Sequence, residues 1–393
     1  MKKKNVDSNV WKLYLIKAVK SGMFSIPIIV LFFKENGLSM KEILLLQSLF
    51  SIVVISLELP TGRFADRVSR KISILIGGIM ATIGYILYSL SYTFWGFLCA
   101  EAILGVGLSF VSGADSAMLY DTLLEREAES EYKKVQGKSD SVGMISEGVT
   151  SIIGGALALI SLRFPLYWDA GLTFLMVPLA LTLAEPKVHR AENAESVFVQ
   201  TWKLLKFSLN DHKELKWLIF YSAIIGASTL TMVWFIQTYW VATNVPLKFF
   251  GVLWATLQFS AAFFSWRAHS IEKYLGRKKS LIMLIVFPVV GYFVLSTSLF
   301  IWLNVFMLLF YVTRGINNPV ISDYINGLVS SEIRASILSV KNLIGRLVFS
   351  MVGPFVGWIN DMISLQMALA ISGSIFMVSG MIALFFMRKH KAL

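Results

Sequence analysis

The chain of 393 residues is 56% hydrophobic and only 15% charged, against about 25% charged residues in an ordinary soluble protein, so it lacks the polar surface to cover a water-soluble globule of this size. Its net charge of +12 would point to nucleic acid in a soluble chain, but the basic residues sit in short connections between apolar runs, the pattern that orients a membrane protein. Cys99 is the one cysteine; it excludes a disulfide framework and a thiolate metal cluster and reads as a small apolar side chain in a helix.

The predicted elements are twelve apolar segments, each about as long as a helix crossing a bilayer. They cover roughly 11–33, 41–61, 72–91, 94–122, 136–161, 165–184, 215–241, 247–269, 280–298, 300–328, 335–358 and 363–387. The opening residues, MKKKNVDSNVWKLYLIKAVK, carry no small-residue cleavage site, so the first span is expected to be retained. Between spans two and three lies ELPTGRFADRVSRK (58–71), with six charges in fourteen residues. It reads as a tight turn.

The connections alternate in charge. One set holds Lys2–Lys4, the 58–71 stretch, Lys133 and Lys134, the 185–214 segment, GRKK at 276–279, Arg334 and the tail RKHK; the other holds only Lys34, Lys41, Arg163 and Lys248. The first set is assigned to the cytoplasm, which puts both termini inside. The 185–214 segment, polar with an amphipathic stretch near Val197–Leu209, is the one long connection. It divides the chain into residues 1–184, a cytoplasmic linker, and residues 215–393. The halves repeat weakly: SRKIS at 69–73 aligns with GRKKS at 276–280, Asp121 with Asn326, and GKSDSVGM at 137–144 with ILSVKNLI at 337–344. Parallel six-helix repeats are one transporter design, with substrate bound between them near the midplane.

This layout resembles the major facilitator superfamily of secondary transporters over essentially the whole chain. The sharpest element is the stretch after span two, where Gly62, Asp66, Arg67, Arg70 and Lys71 match the family pattern G-x-x-x-D-R-x-G-R-K/R. Ser69 replaces its second glycine, while the second-half copy keeps Gly276. EPK at 185–187 is similar to the family's Pro-Glu signature closing span six. The resemblance implies an all-α polytopic membrane protein with twelve transmembrane helices in two pseudo-symmetric six-helix bundles. It also implies a conformational latch. Asp66 is expected at the N-terminus of span eleven, near Ile333–Ser336, where unpaired N–H groups and the helix dipole favour an anion. Arg67 or Arg70 is expected to pair with Asp121 at the end of span four, and Glu58 with Lys341.

Ionisable groups inside spans are costly and mark function by default. Span four carries Glu101 and Asp115, spaced with Leu108 by seven and so on about one helix face; span five carries Glu147 and, one heptad earlier, Asp140. Asp115, Glu147 and Glu101 are the candidates for proton coupling. Lys17 and Lys20 in span one lie near the interface and read as snorkelling. Span ten contributes Arg314, Asn317, Asn318, Asp323 and Asn326, and span eleven Lys341 and Arg346. Acids thus dominate the interior of the first half, and bases are prominent in the second. Tyr14, Tyr120, Trp234, Gln237, Trp254 and Gln258 complete the candidate lining of a substrate cavity.

Two departures separate the chain from the best-known drug antiporters of the family. Glu101 stands where they carry an arginine, four residues before Gly105, and GVTSIIGG at 148–155 has glycines but no proline. The leading expectation is a proton-coupled exporter of a drug, metabolite or siderophore, functioning as a monomer in a bacterial cytoplasmic membrane. The alternative is an importer or facilitator of a sugar or organic acid. An enzyme is disfavoured, because the four histidines (His189, His212, His269, His390) lie in loops, at span ends or in the tail and no P-loop, metal motif or nucleophile elbow occurs. A channel is disfavoured for want of a filter-like segment. No cofactor is expected.

Overall fold

A computed structural model describes residues 8–186, 206–329 and 331–390. The basic residues Lys2–Lys4, His189 and most of the predicted 185–214 linker lie outside the described residues. Among the described residues the regular structure is helical throughout. The helices are α1 (Asn9–Ser21), α2 (Ile29–Glu35), α3 (Met40–Arg67), α4 (Arg70–Leu90), α5 (Phe94–Val111), α6 (Ala114–Glu125), α7 (Tyr132–Leu157), α8 (Phe164–Phe174), α9 (Met176–Leu181), α10 (Lys213–Ala242), α11 (Phe250–Thr297), α12 (Met307–Leu328), α13 (Ser331–Met362) and α14 (Leu365–Lys389).

Eight helical stretches among these residues are long and apolar enough to cross a membrane. One of them, Leu247–Thr297, has 51 residues, about 76 Å at 1.5 Å per residue, or roughly twice what a bilayer needs. It is interrupted at Gly276, whose φ of 75° and ψ of 163° only glycine adopts readily. The predicted spans eight and nine are therefore one helix pair with a glycine joint. Predicted spans one, five and ten fall below the measure for physical reasons. Span one is broken into α1 and α2. Span five, as α7, carries Lys134, Lys138, Asp140 and Glu147, and span ten, as α12, carries Arg314 and Asp323.

Span four also breaks. Gly113 has φ of +84° between α5 and α6, so Asp115 opens a new helix and does not continue the face on which Glu101 lies. The expected common face of Glu101 and Asp115 is thus interrupted. The stretch read as a turn between spans two and three is mostly helix: α3 continues to Arg67, and Ser69 already caps α4 by accepting from the Ile72 N–H at 3.1 Å.

The chain forms two compact units. The first comprises residues 1–38, 49–193 and 246–258, and the second residues 39–48, 194–245 and 259–393. Each unit takes a short segment from the far half of the sequence. In the first, Leu13, Ile16, Ile74, Met118, Leu119 and Met176 form a buried core. In the second, Leu218, Tyr221, Ile285, Ile316, Ile325 and Ile344 do so. Backbone approaches explain Gly154 and Gly155 of GVTSIIGG. A Cβ on Gly154 would fall 1.8 Å from the carbonyl oxygen of Phe24, and one on Gly155 would fall 2.7 Å from Cα of Gly251. Small residues let helices touch in this way.

Candidate functional site

In the first unit the acids of α6 and α7 are bonded to other helices, Asp115 and Asp140 both to α1. Lys20 Nζ stands 2.8 Å from Asp115 Oδ2, with side chains 21% and 12% exposed. Lys17 Nζ stands 2.9 Å from Asp140 Oδ1. Asp115 also accepts the Ser116 N–H at 2.8 Å. The lysines read as snorkelling are therefore ion-pair partners that tie α1 to α6 and α7. Glu147 on α7 accepts a hydrogen bond from Gln258 Nε2 at the start of α11. Glu101 faces elsewhere: it is buried and accepts from Tyr88 Oη at 2.5 Å, beside rings of Phe33 and Phe97.

Arg70 and Lys71 of the charged stretch between α3 and α4 make several bonds in the first unit. Arg70 Nη1 lies 2.5 Å from Asp121 Oδ2 and Arg70 Nη2 3.3 Å from Asp66 Oδ1. The same guanidinium donates to the Ala117 carbonyl. Of the two arginines considered for Asp121, Arg70 makes the pair and Arg67 is exposed at the end of α3. Lys71 Nζ donates to the Leu181 carbonyl at 2.7 Å. A Cβ on Gly62 would meet nothing within 4 Å.

In the second unit, Lys341 on α13 is 6% exposed. Its Nζ donates to Asn318 Oδ1 at 2.7 Å and to Ser322 Oγ at 3.4 Å, so the bonds of the residue expected to serve Glu58 go to α12. The second copy of the charged stretch is wired differently from the first. Arg277 pairs with Glu214 at 3.0 Å and stacks on Tyr324, 4.7 Å from its centroid, while Tyr324 Oη donates to Glu272 at 2.8 Å. Among the described residues, Asn326, which aligns with Asp121, accepts a 3.4 Å bond from Arg334 at its carbonyl.

The remaining cavity candidates divide by exposure. Arg314, Asn318 and Asp323 are exposed on α12, and Asn317, Asn326, Trp234, Arg346 and Tyr14 are half-buried. Gln237 and Trp254 are each 1% exposed and belong to packed interior. Tyr14 Oη donates to the Val135 carbonyl at 3.3 Å, and Tyr120 packs edge-on against Tyr132 at 5.3 Å.

The sequence profile of the Major Facilitator Superfamily matches residues 13–354. The chain belongs to that superfamily. A class E tetracycline resistance protein of Escherichia coli is 24% identical over 326 residues, 78% of this chain and 76% of the relative. Multidrug resistance protein 1 of Bacillus subtilis is 25% identical over 202 residues, so the chain spans only 49% of that relative. Among solved structures, a variant of the nucleoside transporter NupG superposes with a TM-score of 0.81 at 15% identity, covering 98% of this chain and 100% of that one. A bacterial homologue of the lysosomal transporter Spinster, inward-facing and unoccupied, gives 0.74 at 16% identity, with 99% and 97% covered. These likenesses establish the fold. Superfamily membership makes the chain a multi-pass membrane transporter.

Within this superfamily fold, several residues carry roles that the sequence expectations did not assign. Asp169 on α8 is 1% exposed and accepts the backbone N–H groups of Phe24 and Ser25 at 2.7 and 3.0 Å. The Met23 N–H goes to Thr150 Oγ1 at 2.9 Å. Together they hold the break between α1 and α2, where free N–H groups would otherwise be unsatisfied. The signal was present, since a lone acid in an apolar span is a functional candidate. Glu185 accepts from Ser69 Oγ, the Arg70 N–H and the Lys71 N–H at 2.7, 2.9 and 3.0 Å, placing a carboxylate on the N-terminus of α4. Asp361 near the end of α13 does the same for α3, accepting from the Met40 and Lys41 N–H groups at 3.0 and 2.7 Å.

Proposed function

We propose that the chain is a proton-coupled exporter of a small organic molecule. It works by alternating access, as a monomer, in a bacterial cytoplasmic membrane with both termini inside, and uses no cofactor. Several relatives bear drug-resistance names, among them tetracycline, multidrug and quinolone resistance. That favours efflux over the alternative of a sugar or organic-acid importer.

The Lys20–Asp115 pair is the observation that carries the reading. A carboxylate and an ammonium mutually neutralised inside a span form a proton-responsive joint. Protonation of Asp115 removes the charge that holds Lys20, which frees α1 from α6. Glu147 is the second coupling residue: its bond from Gln258 ties α7 to the start of α11. Asp66, Arg67, Arg70, Lys71, Gly62 and Asp121 form a conformational latch on the cytoplasmic side.

The test separates exchange from proton-driven transport in proteoliposomes, using the substrate that drives proton release in vesicles. Asp115→Asn is expected to keep substrate exchange and lose uphill transport driven by a pH gradient. Uphill transport at the wild-type rate from this variant contradicts the role of Asp115.

A further inference from the structure

Lys341 on α13 is held in the interior chiefly by neutral partners. Its ammonium closes a triangle with Asn318 Oδ1 (2.7 Å) and Ser322 Oγ (3.4 Å), while Ser322 Oγ itself donates to Asn318 Oδ1 at 3.4 Å. Among the described residues no carboxylate pairs with it. An ammonium carries three N–H donors, so one remains for another acceptor. Burying a cation without a counter-charge is costly and is retained where function needs it.

The surroundings are electropositive. Arg314 lies one helical turn before Asn318 and Ser322 one turn after it, so the three share one stripe of α12. Arg314 and Asn318 are exposed near the middle of that helix. A guanidinium at that depth turns to the bundle interior or to a water-filled cavity rather than to lipid. The nearby acids point away or are engaged. Asp323 is one residue past Ser322, about 100° around the helix, and Glu272 accepts from Tyr324 Oη at 2.8 Å. A mouth with one guanidinium and, behind it, an incompletely bonded ammonium is built for an oxyanion.

We propose that Lys341 and Arg314 receive an anionic group of the transported molecule, a carboxylate, sulfonate or phosphate monoester, which displaces the Ser322 contact and completes the shell of the ammonium. This rests on the transporter reading and names its substrate class: an organic anion or a zwitterion.

The experiment measures thermal unfolding of the full-length protein in detergent with matched probes: nalidixic acid and its ethyl ester, salicylate and salicylamide, 1-naphthyl phosphate and 1-naphthol. At least one anion is expected to stabilise the protein at a tenfold lower concentration than its uncharged partner. Lys341→Met should erase that preference, Arg314→Gln should reduce it, and Lys341→Arg should keep it. Asn318→Asp supplies an internal counter-ion while leaving the lysine in place and should erase it too, which guards against a folding defect in Lys341→Met. No preference for any anion, or an equal preference in Lys341→Met, overturns the proposal. Flux in proteoliposomes separates it from the transporter reading. Probes bound through Lys341 but never moved count against transport alone. A cationic or neutral compound moved equally well by wild type and Lys341→Met overturns the anion site and leaves transport standing.

Discussion

Lys20 and Asp115 meet at 2.8 Å between the first helix and the helix that restarts after Gly113. The break matters to the pairing. By ending α5 and opening α6 it places Asp115 in a first turn, where the carboxylate also takes the Ser116 N–H and the positive helix end favours its anion. The pair is thus formed where two interrupted spans meet.

Removing one partner leaves a charge stranded in a low-dielectric interior, which costs about 3–5 kcal/mol for a fully buried pair and less here, because both side chains keep some exposure. Lys20→Met is expected to lower the melting temperature measurably, and the double variant Lys20→Met/Asp115→Leu to recover most of that loss without recovering pH-driven transport. Additive losses in the double variant, read by thermal unfolding, would show that the two residues do not act as a pair.

Arg70 reaches Asp121, Asp66 and the Ala117 carbonyl at once. Arg70→Lys keeps the charge but not the planar fork. It should retain expression and lose most transport. Asp66→Asn, on an exposed carboxylate, should likewise leave expression intact and cripple transport. Wild-type flux from a well-folded Asp66→Asn protein would remove the latch.

Glu185 serves three donors at the start of α4. Truncation to Ala should cost about 2 kcal/mol, from loss of a charged cap and of charge-assisted bonds. Glu185→Gln should recover part of it. Equal melting temperatures for wild type and Glu185→Ala in a detergent thermal shift assay would contradict the role.

Gly251 has no room for a side chain: a Cβ there would lie 2.4 Å from the Ser151 carbonyl oxygen. Gly251→Ala should cost about 1–3 kcal/mol through overpacking and slow transport, and Gly251→Leu should abolish it. Normal flux from Gly251→Leu in vesicles, at matched expression, would show that this approach is not needed for the cycle.

Much of this was legible in the residues themselves. Apolar length, loop charge and the 58–71 stretch identify the superfamily, because those features obey local rules of insertion and orientation. The pairing of Arg70 with Asp121 was expected for one of two arginines, and only packing could choose between them. The helix breaks were harder. SGMFSIP in span one and SGAD in span four hold the glycine, proline and capping residues that interrupt helices, yet strong hydropathy on either side masked them. Asp169 is not among the sequence candidates, and Glu185 is there only as part of EPK, because their partners are backbone N–H groups more than a hundred residues away and sequence spacing does not register such bonds. Lys17 and Lys20 were assigned to the interface by depth alone, whereas acids on α6 and α7 determine where they go.

The proposed coupling of export to protons rests on Asp115. Its most direct test is proton flux in inverted membrane vesicles energised to an acidic lumen and loaded with a pH dye. Pools of antibiotics, siderophores, sugars and amino-acid derivatives are added in turn, with Asp115→Asn vesicles in parallel. One pool is expected to release protons from wild-type vesicles and not from the variant. Proton release of equal size in both, or none from any pool while a known antiporter responds alongside, would contradict it.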